Sequence, residues 1–252
     1  MIKQIPNLFT LLNLVFGCLA IIFVFRSDGN DILGLSGISL IYAGTFIFAS
    51  AVVDFLDGFV ARLFKATSEM GAQLDSLADA VSFGVAPGMI LYKLIETLTL
   101  PGQEAAQSGF INWPAIPALL IPCAAVWRLA KFNLDTEQAY YFKGLPSPAA
   151  GLTIASLPLI QLGKTGFLEP QSALYILYAV VIIISWLMVS NIPLISLKFK
   201  SKALKGNNDK IILVIIALIA VLLLKWAAVP VILVAYIIVS LISNPKKQAI
   251  KE

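Results

Sequence analysis

Eight apolar runs, near residues 8–25, 36–57, 76–95, 114–130, 148–163, 172–192, 210–226 and 228–243, restrict this chain to very few folds. Most approach the ~20 residues that an α-helix needs to cross a hydrocarbon core. In lipid a spanning backbone must satisfy its own N–H and C=O groups, which runs of this length do as helices. Hydrophobic residues make up 59% of the 252 and charged residues 13%, and the charges are clumped between the runs. A soluble domain would need a larger and more evenly spread polar surface. The expectation is an all-α, polytopic membrane protein of about eight transmembrane helices. The fifth run contains Pro148 and Pro158, and only a tight turn near Lys225 to Pro230 separates the last two. Seven or six crossings follow if 210–243 is re-entrant or the fifth run only dips. Leu8 to Phe25 is long for a signal peptide, and Arg26-Ser27-Asp28 offers no small-residue cleavage site, so this run is read as an uncleaved first span.

Charge fixes an orientation. With an inside N-terminus and every run crossing, 14 of the 18 basic residues lie on the cytoplasmic side, among them Lys3, Arg62, Lys65, Arg128, Lys131, Lys143 and the run Lys198 to Lys210. The positive-inside rule therefore predicts two cytoplasmic termini. The same rule accounts for the net charge of +4 without a nucleic-acid partner. The lysine run is read as a topology determinant, with an anionic-lipid patch as the alternative. The stretch around 99–113 reads as an external loop.

The chain has no histidine, and Cys18 and Cys123 lie inside apolar runs, where they read as small packing residues. That argues against a disulfide framework or a zinc site, so a metal here would be held by oxygen. The stretch VVDFLDGFVARLFKATSEMGAQLDSLADAVSFGVAPG, residues 52–88, supplies that oxygen. Asp54 and Asp57 are three apart and share one helix face; Asp75 and Asp79 are four apart and share a face of the next. An antiparallel hairpin brings the two faces together near the cytoplasmic boundary. Each Asp at mid-helix would cost ~3 kcal/mol to insert, less near the interface. Arg62 cannot offset four carboxylates, whereas two divalent cations can, and oxygen ligands favour Mg²⁺ or Mn²⁺. Gly58, Ala61 and Gly71 leave the rim of the cluster free of bulk for an anionic substrate, with Arg62 as a fixed cation.

The pattern Asp54-x2-Asp57-Gly58-x2-Ala61-Arg62-x8-Gly71-x3-Asp75-x3-Asp79 resembles the complete signature of the CDP-alcohol phosphatidyltransferases, with every fixed position filled over about 26 residues. Within that family the flanks resemble the phosphatidylserine synthase branch: PNLFTLLNLVFG (6–17), SFGVAPG (82–88), RLAKFN (128–133) and FKGLPSPAAG (142–151). The branch carries Arg where this chain has Lys131, so charge is kept and bidentate geometry lost.

The resemblance implies transfer of a phosphatidyl group from CDP-diacylglycerol to L-serine with release of CMP. It implies two divalent cations held by Asp54, Asp57 and Asp75, and Asp79 as the general base, which also reaches the second metal. Asn7, Thr10 and Asn13, polar every three residues on the first helix, join Gly58, Ala61, Arg62 and Gly71 as CDP-diacylglycerol contacts. Asn7 after Pro6 also reads as a helix cap, and Thr10 as bonding its own backbone. Arg128, Lys131, Ser82, Asn133 and Ser147 are assigned to serine, although basic residues at a cytoplasmic helix end follow from topology alone and Ser147-Pro148 is a normal helix start. The resemblance further implies a homodimer in the cell membrane with its active site facing the cytoplasm. Residues 1–195 read as a six-helix catalytic core and 196–252 as two additional C-terminal helices. Three rivals remain: another acceptor such as glycerol 3-phosphate or inositol phosphate, an ether-lipid donor, and a cation transporter with acids spread through the bilayer depth.

Overall fold

The computed structural model describes residues 5–26, 35–64, 68–99, 111–135, 141–161, 170–195 and 208–243. Lys3, Lys65, Lys164, Lys198 to Lys205, Lys246, Lys247, Lys251 and most of the expected external loop lie outside these residues. The helices are α1 (Ile5–Phe25), α2 (Leu35–Leu63), α3 (Glu69–Asp79), α4 (Ala86–Thr99), α5 (Leu120–Leu134), α6 (Ser147–Gln161), α7 (Pro170–Val189), α8 (Asn208–Leu224) and α9 (Ala228–Ser243). A π-helical turn, Ala80–Val85, joins α3 to α4 without a break, and a 3₁₀ turn, Trp113–Leu119, leads into α5. Each of the eight apolar runs is helical over most of its described residues. Six stretches are long and apolar enough to cross a membrane: Pro6–Phe25, Ile38–Leu63, Glu69–Thr99, Trp113–Leu134, Gln171–Val189 and Asp209–Ser243. Ser147–Ile160 is apolar but shorter.

Length places the acidic ends. The 29 residues of α2 make a helix of about 43 Å, against a hydrocarbon core of ~30 Å. A helix that long must tilt or project, and Asp54 and Asp57 both lie within its last three turns. The stretch Glu69–Thr99 is similarly long, and its polar first turns carry Asp75 and Asp79. Ser68 caps it, accepting the Gly71 N–H on its Oγ at 3.0 Å. Helix α1 packs along α2 and also against α3 and the π turn. At Gly17 the approach is so close that a Cβ would lie 2.4 Å from Ser82 Oγ. Only a residue without a side chain fits there.

Two three-residue strands depart from the all-helical expectation. β1 (Tyr141–Lys143) pairs antiparallel with β2 (Pro193–Ile195), Phe142 opposite Leu194. The chain leaves β1 through Gly144 at φ +78°, in the left-handed region that glycine adopts freely. A Cβ there would meet the carbonyls of Leu187, Met188 and Ser190 at the end of α7. Helices α8 and α9 fold back on one another about a 3₁₀ turn, Lys225–Ala227, in which Lys225 has φ +52°.

The core is a continuous apolar cluster running from Ala20, Ala43 and Ile47 through Phe83, Ile90 and Ile121 to Ile154 and Val181. Large side chains such as Phe55, Trp127, Trp186 and Leu222 point outward, as spanning helices present apolar surface to lipid. Cys18 and Cys123 are unpaired and exposed on these helices. They do not serve as packing residues inside the protein, because each falls on the outward stripe of its helix. Lys210, the last lysine of the run read as a topology determinant, is buried.

Candidate active site

The carboxylates converge from α2 and α3. Asp54, Asp57 and Asp75 each offer an oxygen, and the three oxygens lie within 4.8 Å of one another. The helical spacing produces this: residues three apart on α2 face residues one turn apart on α3. Asp79 sits one turn deeper, buried, within interaction range of Asp54. All the donors are hard oxygens, and three close carboxylates are unstable as neighbours without a cation. The donor set therefore fits a divalent metal of the Mg²⁺ or Mn²⁺ kind.

Helix α1 supplies the layer behind the carboxylates. Thr10 Oγ1 donates to Asp57 Oδ2 at 2.8 Å and also lies 3.2 Å from the Pro6 carbonyl. Its single proton favours the carboxylate, where the bond is shorter and charge-assisted. Asn13, with no exposed surface, is tied on every polar atom described. Its Nδ2 donates to Asp79 Oδ1 at 3.2 Å, its Oδ1 accepts from Ser50 Oγ, and its carbonyl accepts from Ser82 Oγ at 3.1 Å. With a serine hydroxyl donating to Oδ1, the amide must turn its NH₂ toward Asp79. The π turn matters here, because it begins one residue after Asp79 and carries Ser82 onto the Asn13 backbone.

Beside the carboxylates opens a cleft of about 210 Å³, lined by Pro6, Asn7, Thr10, Asp57, Gly58, Ala61, Ser68, Gly71, Ala72 and Asp75. A Cβ added to Gly58 would meet nothing within 4 Å, whereas one at Gly71 would lie 3.1 Å from Asn7 Oδ1 and Ser68 Oγ. Gly58 thus keeps volume open, and Gly71 lets α1 approach α3. Of the residues assigned to CDP-diacylglycerol, Asn7, Thr10, Gly58, Ala61 and Gly71 line this cleft. Asn13 is directed to Asp79, and Arg62 is exposed at the end of α2 without lining it.

The residues assigned to serine divide into separate contacts. Arg128 is 7% exposed; its Nη1 donates to Ser147 Oγ at 3.4 Å and its guanidinium lies 5.2 Å from the Phe132 ring centroid. Its Nε, also buried, has no partner among the described residues. Lys131 donates to Asn191 Oδ1, Asn133 Nδ2 donates to Ser76 Oγ at 2.9 Å, and Ser82 is held on Asn13. Arg128 and Ser147 are adjacent; Lys131 and Asn133 brace α5 to the end of α7 and to α3.

Ser50, Ser68, Ser76 and Ala72 were not singled out from the sequence. The signal for Ser50 is present: it is the one hydroxyl on α2 a single turn before Asp54, on an otherwise apolar stretch.

The family model described as CDP-alcohol phosphatidyltransferase matches residues 3–191. A protein of Helicobacter pylori named CDP-diacylglycerol–serine O-phosphatidyltransferase is 33% identical over 239 residues, covering 94% of this chain and 89% of the relative. Proteins of the same name from Methanocaldococcus jannaschii and Bacillus subtilis are 32% and 41% identical, over 191 and 135 residues. These alignments cover 76% and 51% of this chain and 73% and 70% of the relatives. With its acidic signature drawn into one cluster and most of its length matched, the chain belongs to the CDP-alcohol phosphatidyltransferase family.

Proposed function

We propose that this protein transfers the phosphatidyl group of CDP-diacylglycerol to the hydroxyl of L-serine, giving phosphatidylserine and CMP. The observation that carries the reading is the meeting of Asp54, Asp57 and Asp75 beside a cleft walled by small residues. The names of the relatives support serine as the acceptor.

In this reading Asp54, Asp57 and Asp75 hold two divalent cations, with Asp79 alongside. Once bound, such ions supply positive charge to the diphosphate and to the leaving CMP. Thr10 fixes the rotamer of Asp57, and Asn13 fixes that of Asp79. Gly58, Ala61 and Gly71 admit the nucleotide diphosphate, and Asn7 and Arg62 contribute polar and cationic contacts at its edge. Asp79 takes the proton of the serine hydroxyl as the new oxygen–phosphorus bond forms and the bond to CMP breaks. The buried Arg128, with Nε unpartnered, is suited to the serine carboxylate, and Ser147 orients it. A buried donor left without an acceptor costs ~1–3 kcal/mol, so a carboxylate reaching it would be bound tightly.

The same reading has the chain cross the cell membrane eight times. Ser147–Ile160 spans as a short helix, the α8–α9 pair spans as a hairpin, and both termini and the cluster face the cytoplasm. Residues 1–195 form the catalytic core, 196–252 add the last two helices, and the protein works as a homodimer. The test is CMP release by purified protein from CDP-diacylglycerol offered L-serine, glycerol 3-phosphate or inositol phosphate. Release with L-serine and little with the phosphorylated alcohols is expected; a preference for glycerol 3-phosphate would overturn the serine assignment and leave the metal site standing.

A further inference from the structure

Helix α9 lies beyond the residues matched by the family model, yet it carries Tyr236 and Ser240 in an otherwise apolar interior, with Ser243 as its last residue. Tyr236 and Ser240 are one turn apart and therefore face the same way. Both are turned to one residue of β2: Tyr236 OH donates to the Ile195 carbonyl at 2.9 Å, and the Ile195 N–H donates to Ser240 Oγ at 3.2 Å. Tyr236 is 9% exposed and Ser240 wholly buried.

The strand register explains why Ile195 is free for them. In an antiparallel pair, hydrogen-bonded and non-bonded positions alternate. The Gly144 N–H donates to the Ile192 carbonyl at 2.9 Å, which makes that pair, and by alternation Phe142 with Leu194, the bonded positions. Tyr141 with Ile195 and Lys143 with Pro193 are then the non-bonded ones, which also suits a proline that has no N–H. The backbone groups of Ile195 therefore point away from β1, and α9 takes the place of a third strand. On the other side the path continues from β1 into Gly144, whose left-handed turn sits on the end of α7. The Leu145 N–H donates to the Leu187 carbonyl at 2.9 Å, and two residues later Ser147 Oγ accepts from Arg128.

We propose that Tyr236 and Ser240 are positioning residues for the acceptor half of the active site. By clamping Ile195 they set the β1–β2 pair, and through it the Gly144–Ser147 turn that orients Arg128. The proposal rests on the reading of Arg128 as the acceptor-carboxylate contact. The cleft beside Asp57 is built from α1, α2 and α3, which this ladder does not brace, so the two substrates should respond differently.

Tyr236→Phe and Ser240→Ala remove one hydroxyl each and keep the apolar body. Tyr178→Phe is the control, since Tyr178 OH donates to the Pro114 carbonyl at 2.8 Å, at the opposite end of α5. Each clamp variant should raise the KM for L-serine about fivefold, the worth of one neutral hydrogen bond, with the KM for CDP-diacylglycerol unchanged. The control should change neither. Hydrogen exchange of the peptide 141–147 should also accelerate in the double variant, a readout that needs no substrate. Equal rises in both KM values that track a lowered Tm, or unchanged exchange at 141–147, would overturn the proposal. If the wild type shows no serine-dependent CMP release, the functional reading fails, and the exchange result alone decides whether the clamp exists.

Discussion

Thr10→Val isolates the layer behind the carboxylates. Valine keeps the shape of threonine and removes only the hydroxyl that donates to Asp57 Oδ2 at 2.8 Å. Thr10 is 3% exposed, and with CDP filling the cleft that it lines, water replaces the bond poorly. A hydrogen bond to a charged partner contributes ~1.5–3 kcal/mol. The nearby Pro6 carbonyl competes for the same proton, which places this one near the lower figure. About 1.5 kcal/mol is roughly tenfold in an equilibrium constant, in keeping with the loss caused by removing groups that orient metal ligands. Mn²⁺ titration of purified protein followed by electron paramagnetic resonance, with CDP present, should therefore show about tenfold weaker binding. Thr45→Val is the matched control, because its hydroxyl donates within α2 to the Ile41 carbonyl and touches no carboxylate. Wild-type Mn²⁺ affinity in Thr10→Val, or an equal loss in Thr45→Val, would refute the reasoning.

Other outcomes follow from the same geometry. Asp79→Asn should lower the rate by about 10² or more while CDP binding is retained, measured by turnover and by equilibrium binding. Gly58→Ala should leave Tm unchanged or slightly raised, because its Cβ meets open space and alanine favours helix, while the KM for CDP-diacylglycerol rises. Gly17→Ala should do the reverse and lower stability by about 1–3 kcal/mol, since its Cβ would fall 2.4 Å from Ser82 Oγ; thermal unfolding in detergent distinguishes the two.

What could be read in advance depended on how local the physical signal is. Asp54, Asp57 and Asp75 were legible because helical spacing and one short loop suffice to bring them together. The polar face of α1 was legible as a face, but not its partners. Spacing at Thr10 and Asn13 cannot distinguish a nucleotide from a carboxylate on the neighbouring helix, and the structure directs both side chains to Asp57 and Asp79. The π turn after Asp79 left no trace, because one widened turn does not alter an apolar pattern. β1 and β2 were missed for a related reason, being three residues long and set among prolines, too short for an alternating period. Tyr236 and Ser240 stood in plain view as polar residues one turn apart in α9. Their target is 41 to 45 residues away, and no local rule points to it.

The most direct test of the account is incorporation of labelled L-serine into lipid by purified, metal-stripped protein given CDP-diacylglycerol. The account predicts no incorporation with EDTA, and phosphatidylserine and CMP in equal amounts once Mg²⁺ or Mn²⁺ is restored, with both lost in Asp75→Asn. Full incorporation in the metal-stripped sample, or undiminished activity in Asp75→Asn, would contradict it.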